Sequence, residues 1–150
     1  GYNYRMSNIC AGIGRGQMEV LASRVARRRA INGLYREAFS GLDGIRLLTE
    51  PDAGFRSNHW LTAIIVDPSL AGGVTREDIR LACEAANIET RPLWKPMHLQ
   101  PVFASAPFYG DGTSERLFRD GLCLPSGSSL TDEEVVRVAG IVKALVGGGR

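Results

Sequence analysis

The chain has 150 residues, 44% of them hydrophobic and 23% charged, with a formal net charge of +2; this is the length and composition of one globular domain, able to bury roughly two thirds of its unfolded surface. So small a net charge gives no electrostatic reason to expect a nucleic-acid or anionic-membrane partner, and no apolar run reaches the ~20 residues that span a bilayer. Cys10, Cys83 and Cys123 are odd in number and form no Cys-x-x-Cys pair, which argues against a disulfide framework or zinc site and for buried free thiols in a reducing, cytoplasmic setting; an apolar leader is not expected either.

Ser7 is placed to cap a helix, and Ile9, Ile13, Val20, Leu21, Val25, Ile31, Leu34 and Tyr35 follow at near-helical spacing. One helix of about 45–50 Å from Asn8 to about Phe39 is expected, weakened at Gly33. A helix that long in so small a chain suggests an element bridging two bodies. Leu42–Leu48 offers a short strand, and the run WLTAIIV (60–66) reads as a buried strand stopped by Asp67-Pro68.

Thr75 caps a second helix ending at Asn87, with acids in its first turn and Ile79, Leu81, Ala82 and Ala85 on one side. Residues 88–91 can form a short strand. Pro92, Pro96, Pro101 and Pro107 then break any regular element. A short helix over 114–120, a buried strand over 121–125 and a last helix complete the order. Thr131 and Glu134 form a capping box for that last helix, whose apolar face is Val135, Val138, Ile141, Val142 and Leu145. The expected class is α+β, a long helix followed by a small sheet packed with helices.

Several motifs have bland readings. Gly12, Gly14 and Gly16 lie inside a helical run with no strand before them, so a close helix contact is preferred to a nucleotide loop. The run ARRRA (26–30) reads as a solvated helix face rather than a nucleic-acid contact. His59 and His98 are the only histidines and lack partners at ligand spacing, so no metal site is expected. The proline-stiffened loop RPLWKPMHLQPVF (91–103) is more informative. Its Trp, Lys and His either line a polar ligand site, the indole stacking on a ring and the charges meeting phosphate, or form a rigid connector that plugs the core.

Four segments in this order and spacing, GYNYRMSNICAGIGRGQ (1–17), SNHWLTAIIVD (57–67), RPLWKPMHLQPVF (91–103) and LFRDGLCLPSGSSLTDEE (117–134), resemble the DegT-type sugar aminotransferases. These are pyridoxal 5'-phosphate-dependent enzymes of the aspartate aminotransferase fold. The resemblance covers nearly the whole chain and matches the C-terminal portion of the family. It implies an active-site segment and interdomain helix over 1–40 and the small C-terminal domain over 41–150.

The resemblance also implies a homodimer with its active site shared between subunits. Asn3 would donate its amide to the cofactor phosphate held by the partner chain, with Tyr2, Tyr4 and Arg5 shaping that corner. Trp94, Lys95 and His98 would reach toward a nucleotide-linked 4-keto-6-deoxy sugar, which receives its amino group from glutamate in surface-polysaccharide or glycan synthesis. The cofactor-bearing lysine and the acid at the pyridine nitrogen would lie before Gly1. Lys95 and Lys143, the two lysines present, match neither role. The chain alone is therefore expected to be inactive, a piece of a longer enzyme with no catalytic residue of its own. A truncated homologue that dimerises or binds nucleotide-sugar without catalysis is the alternative, and a dehydratase using the same cofactor is a further one.

Overall fold

The computed structural model describes Tyr2 and residues 4–148. Its elements are α1 (Asn8–Ala38), β1 (Ile45–Leu47), β2 (Thr62–Val66), α2 (Arg76–Ala85), β3 (Arg91–Pro92), α3 (Thr113–Asp120), β4 (Gly121–Leu124) and α4 (Asp132–Gly147), with single 3₁₀ turns at Met97–Leu99 and Pro101–Phe103.

α1 starts where Ser7 accepts a hydrogen bond from the Cys10 N–H at 3.2 Å. It runs unbroken for 31 residues. Gly33 does not interrupt it, and Ile31, Asn32 and Tyr35 on either side are buried in the core. α2 and α4 both open with capping boxes, Thr75 with Asp78 and Thr131 with Glu134. α2 ends in a Schellman arrangement. Asn87 takes a left-handed φ of 57°, the Asn87 N–H reaches the Glu84 carbonyl at 2.9 Å, and the Ile88 N–H reaches the Cys83 carbonyl at 2.8 Å. That closure uses up Ile88, so the strand expected over 88–91 shrinks to Arg91–Pro92.

The four strands form one sheet in the order β1-β2-β4-β3, each neighbouring pair antiparallel. The central strands carry the apolar sequence. Thr62, Ile64 and Val66 are buried along β2, and all four residues of β4 are buried. The edges have only three and two residues, which leaves little unpaired backbone for edge-to-edge association. The segment Trp60-Leu61 stays outside β2, held in a turn by side-chain bonds described below.

One core joins these layers. Ile31, Tyr35 and Phe39 of the end of α1 meet Ile64 and Val66 of β2, Leu122 and Leu124 of β4, Ile79 and Cys83 of α2, and Val135, Val138 and Val142 of α4. Each such aliphatic side chain contributes about 1.5–3 kcal/mol by leaving water. Two glycines are required by space. A Cβ at Gly121 would lie 2.2 Å from Leu93 Cδ1 and 2.3 Å from the Leu117 carbonyl oxygen; at Gly44, φ is +80° and a Cβ would meet Ala71 Cβ and N at 2.6 Å.

Three sequence expectations need correction. On α2 the buried residues are Ile79 and Cys83, while Leu81 is 49% exposed; it stands two residues past Ile79, and at about 100° per residue it turns away from the core. Cys83 and Cys123 are buried thiols whose pKa values burial raises, but Cys10 is exposed on the free part of α1. The space beside Gly12, Gly14 and Gly16 is empty within this chain, so no helix packs on them here. Among the described residues no helix is long and apolar enough to cross a membrane, and no group of three or more His, Cys, Asp or Glu side chains is placed to hold a metal.

Candidate functional site

α1 changes character along its length. Residues up to Ala22 and on to Arg24 are exposed, and Ile9, Ile13, Met18, Val20 and Leu21 are exposed apolar side chains. Ile9, Ile13, Gly16 and Val20, spaced by four, three and four, share one face, and that face continues to buried Ile31.

Between the exposed and buried stretches stand the arginines, and they are not a solvated face. Arg27 donates to the Leu130 carbonyl and to Asp132 Oδ1, the latter at 2.7 Å. Arg28 donates to the Trp60 carbonyl and to the Ser126 carbonyl, the latter at 3.2 Å. Arg29 Nε donates to the Ser57 carbonyl at 2.9 Å. The loops entering β2 and leaving β4 end in carbonyls that have no strand partner there, and guanidinium groups from α1 supply the missing donors. The basic run thus clamps the helix to two loops.

The segment before β2 is shaped around Trp60. Glu50 accepts from the Ser57 N–H at 3.1 Å, Ser57 Oγ from the His59 N–H at 2.9 Å and Asn58 Oδ1 from the Trp60 N–H at 3.0 Å. His59 adopts a left-handed φ of 48° and its ring lies 3.4 Å from Glu50. Backbone N–H donors hold the Glu50 carboxyl below its ordinary pKa. Beneath this turn runs a buried polar chain. Asn32 Nδ2 donates to Thr62 Oγ1 at 3.3 Å, the Thr62 N–H donates to Ser126 Oγ at 2.8 Å, and that hydroxyl donates to the Leu124 carbonyl at 2.9 Å.

Trp60 and Trp94 form the mouth of an open groove of about 970 Å³ along the end of α2, β3 and the exit of β4. Their ring centroids lie 6.1 Å apart and their planes are tilted by 38°. Both indoles are largely exposed, 60% and 66%. The other walls include Arg80, Glu84, Thr90 and Arg91. The cations are already matched: Arg80 bonds Glu77 and Glu84 at 2.8 Å each, and Arg91 bonds Glu89. Buried Thr90 Oγ1 has no hydrogen-bond partner among the described residues.

The loop after β3 separates the three residues expected at the sugar. Trp94 faces the groove. Lys95 is exposed and does not line it, and its carbonyl accepts from Gln100 Nε2 at 3.3 Å. His98 turns the other way: its Nε2 lies 2.8 Å from Glu115 of α3, and its ring stacks on Phe108 with centroids 3.6 Å apart. Asp111 then fixes the start of α3 by accepting from the Thr113 N–H and hydroxyl at 3.0 and 2.8 Å, which lowers its pKa.

Tyr2 and Tyr4 stand at the far end of α1, each 85% exposed, with rings stacked at 5.2 Å, and Arg5 beside them is exposed. Asn3 lies outside the described residues. From Asn8 to Arg28, where the helix meets Trp60, is 20 residues, or about 30 Å. One chain therefore does not bring Tyr2 and Arg5 to Trp94, Lys95 and His98. The described residues do not enclose a phosphate-bearing cofactor by themselves. Tyr2 and Arg5 are open to water, and Lys95 and Lys143 are exposed on the loop and on α4. Trp60, Arg28 and Thr90 were not marked as site residues by sequence. The strand expected over 60–66 includes Trp60, whereas β2 begins at Thr62; the polar prelude Ser57-Asn58-His59 is the turn signal before it.

A sequence model described as the DegT/DnrJ/EryC1/StrS aminotransferase family matches residues 1–143. The chain belongs to that family. Within it, the chain is 46% identical over 149 residues to EpsN of Bacillus subtilis (strain 168), whose name places it among pyridoxal phosphate-dependent aminotransferases; the match covers 97% of the chain and 37% of EpsN. It is 33% identical over 143 residues to the GDP-perosamine synthase of Vibrio cholerae, covering 95% of the chain and 38% of that enzyme. The fold matches the aminotransferase TlmJ from Streptoalloteichus hindustanus with TM-score 0.85 and 27% identity, and DesI, solved in the presence of its TDP-sugar product, with TM-score 0.86 and 25% identity. Each covers 99% of this chain and 38% of the solved one. This chain of the DegT family thus spans less than two fifths of its relatives.

Proposed function

We propose that the chain is the C-terminal part of a pyridoxal phosphate-dependent aminotransferase acting on a nucleotide-linked 4-keto-6-deoxy sugar, with glutamate as amino donor. The observation that carries this reading is the match along nearly the whole chain to sugar aminotransferases, in sequence and in fold. Bound pyridoxal phosphate would supply the electron-withdrawing ring through which an amino group passes from donor to keto-sugar.

In this reading residues 1–40 bridge two bodies and residues 41–150 form the small domain. Asn3, Tyr2 and Arg5 serve the cofactor phosphate of a partner chain. An amide gives that phosphate donors without adding a titrating group, and a guanidinium gives a charge-assisted pair. The exposure of Tyr2 and Arg5, beyond a stretch of α1 that extends about 30 Å from Asn8 to Arg28, supports a role toward another polypeptide. Trp94 offers an open indole face to a base or sugar ring, with Lys95 beside it to meet phosphate. His98, engaged with Glu115 and Phe108, holds the loop that presents Trp94. The working form is a homodimer in the cytoplasm.

The test is amino transfer from glutamate to UDP-, GDP- and dTDP-linked 4-keto-6-deoxyhexoses by the complete encoded protein. Transfer is expected, with Trp94→Ala raising KM about tenfold, as loss of a base-stacking ring does. The 150-residue chain by itself is expected to give no turnover. Absence of transfer by the complete protein, with nucleotide-sugar still bound, would establish the non-catalytic module instead; turnover by the isolated chain would refute the assignment of the reacting amine to other residues.

A further inference from the structure

We infer that Arg28 is a positioning residue for the Trp60–Trp94 pair. The inference deepens the proposed function, because it rests on Trp94 meeting the substrate.

Arg28 joins two segments that both line the groove. Its Nη1 donates to the carbonyls of Trp60 and Ser126. Residue 60 is thereby tied at both backbone ends, since its N–H is already held by Asn58 Oδ1 at 3.0 Å. The preceding residue, His59, sits in the left-handed region at φ 48°, a conformation that L residues hold only when the surroundings fix it. With both peptide planes fixed, the Cα–Cβ direction of Trp60 is fixed, and its indole comes to rest 6.1 Å from that of Trp94. The anchor on the other side is rigid as well, because the Ser126 hydroxyl bridges the Thr62 N–H and the Leu124 carbonyl.

Arg28 is half-buried, so its charge-assisted bonds are less screened than those of a surface pair. Its neighbour Arg27 makes an equivalent clamp to a different place, Leu130 and Asp132, and so serves as the internal control. Lysine at 28 keeps the charge but ends one bond short of Nη1. Methionine keeps the stem volume and has no donor.

The chain contains two tryptophans, so the exciton couplet in circular dichroism reports this one indole pair, and Trp94→Phe should abolish it. In the 150-residue chain, R28K and R28M are expected to lose the couplet and to make both indoles more accessible to acrylamide quenching. R27K is expected to lower Tm comparably while keeping the couplet. A couplet retained in both Arg28 variants overturns the inference. So does its loss in R27K, which would show a general loosening, and so does failure of both Arg28 variants to fold where R27K folds. The outcome is separable from the functional reading. If Arg28 controls the couplet but Trp94→Ala leaves KM for nucleotide-sugar unchanged in the complete protein, the substrate assignment falls and the positioning stands. The reverse pair of results sinks the positioning alone.

Discussion

Two buried hydroxyls in this molecule have opposite standing. Tyr35 is fully buried against Phe39, with ring centroids 5.9 Å apart, and its hydroxyl donates to the Pro125 carbonyl at 3.0 Å. Burial first, and then the neighbouring Cys83, push its pKa well above the tyrosine range, so it is a neutral donor at every ordinary pH. Tyr35→Phe removes that donor and leaves the carbonyl short of a partner, which should cost about 1 kcal/mol in urea unfolding with an unchanged m value. Thr90 is the reverse case, a buried hydroxyl with no partner among the described residues. Thr90→Val keeps the branched shape and removes the unsatisfied group, so Tm should rise or hold. A fall in Tm would mean that the hydroxyl is satisfied by bound water or by another chain.

The helix ends set the behaviour in acid. Asp78 closes the capping box of α2, and the Thr75 hydroxyl, then the Thr75 N–H, hold its carboxyl below the ordinary 3.8. Asp67 is lowered likewise by Ser69, and Asp111 by Thr113. A carboxyl with a lowered folded pKa binds fewer protons folded than unfolded. Its contribution is complete above the unfolded value and drains as pH falls through the folded one. The stabilisation from these three aspartates should therefore be complete above the ordinary Asp range and decline as pH falls below it. Asp78→Asn should flatten part of that decline in an acid titration of the helical signal; an unchanged slope would remove the box from the account. At the other box, Thr131→Ala should cost about 1 kcal/mol in thermal melts, the ordinary worth of an N-cap hydroxyl.

These same ends show what a sequence discloses. The Thr131–Glu134 box, the period of α4 and the apolar run of β2 are local signals, and each appears within a residue or two of its expected place. Leu81 departs from the expected face because two residues of helix separate it from Ile79 by about 200°, which turns it to solvent. The arginine clamp was illegible for a different reason. Whether Arg28 meets water or the Trp60 carbonyl depends on where a loop 32 residues away ends, and helical period carries no information about that. The site divides the same way. The loop bearing Trp94, Lys95 and His98 announced itself by composition. That Trp94 turns to Trp60 while His98 turns to Glu115 and Phe108 is a product of tertiary packing.

At the scale of the whole molecule the outstanding feature is a helix that belongs to the body at one end only. The face that buries Ile31 continues outward through Val20, Gly16, Ile13 and Ile9, past the arginine clamp and into solvent. The stretch from Asn8 to Ser23 extends about 24 Å at 1.5 Å per residue. A monomer seldom leaves so long an apolar seam uncovered, and the 4-3-4 spacing with a glycine in the middle suits a second helix at close range. The relatives' extra length, more than three fifths of each, is one source of cover in a complete protein. For the 150-residue chain the available cover is another copy of itself. Light scattering should then show a mass that rises with concentration, and Ile13→Glu should return it to the monomer. The same substitution should leave the thermal midpoint of the dilute protein in place, since Ile13 is 62% exposed and outside the core. A monomeric mass across all concentrations would mean that the seam is tolerated in water. An oligomer indifferent to Ile13→Glu would place the association elsewhere, with the exposed Trp60–Trp94 edge as the next surface to substitute.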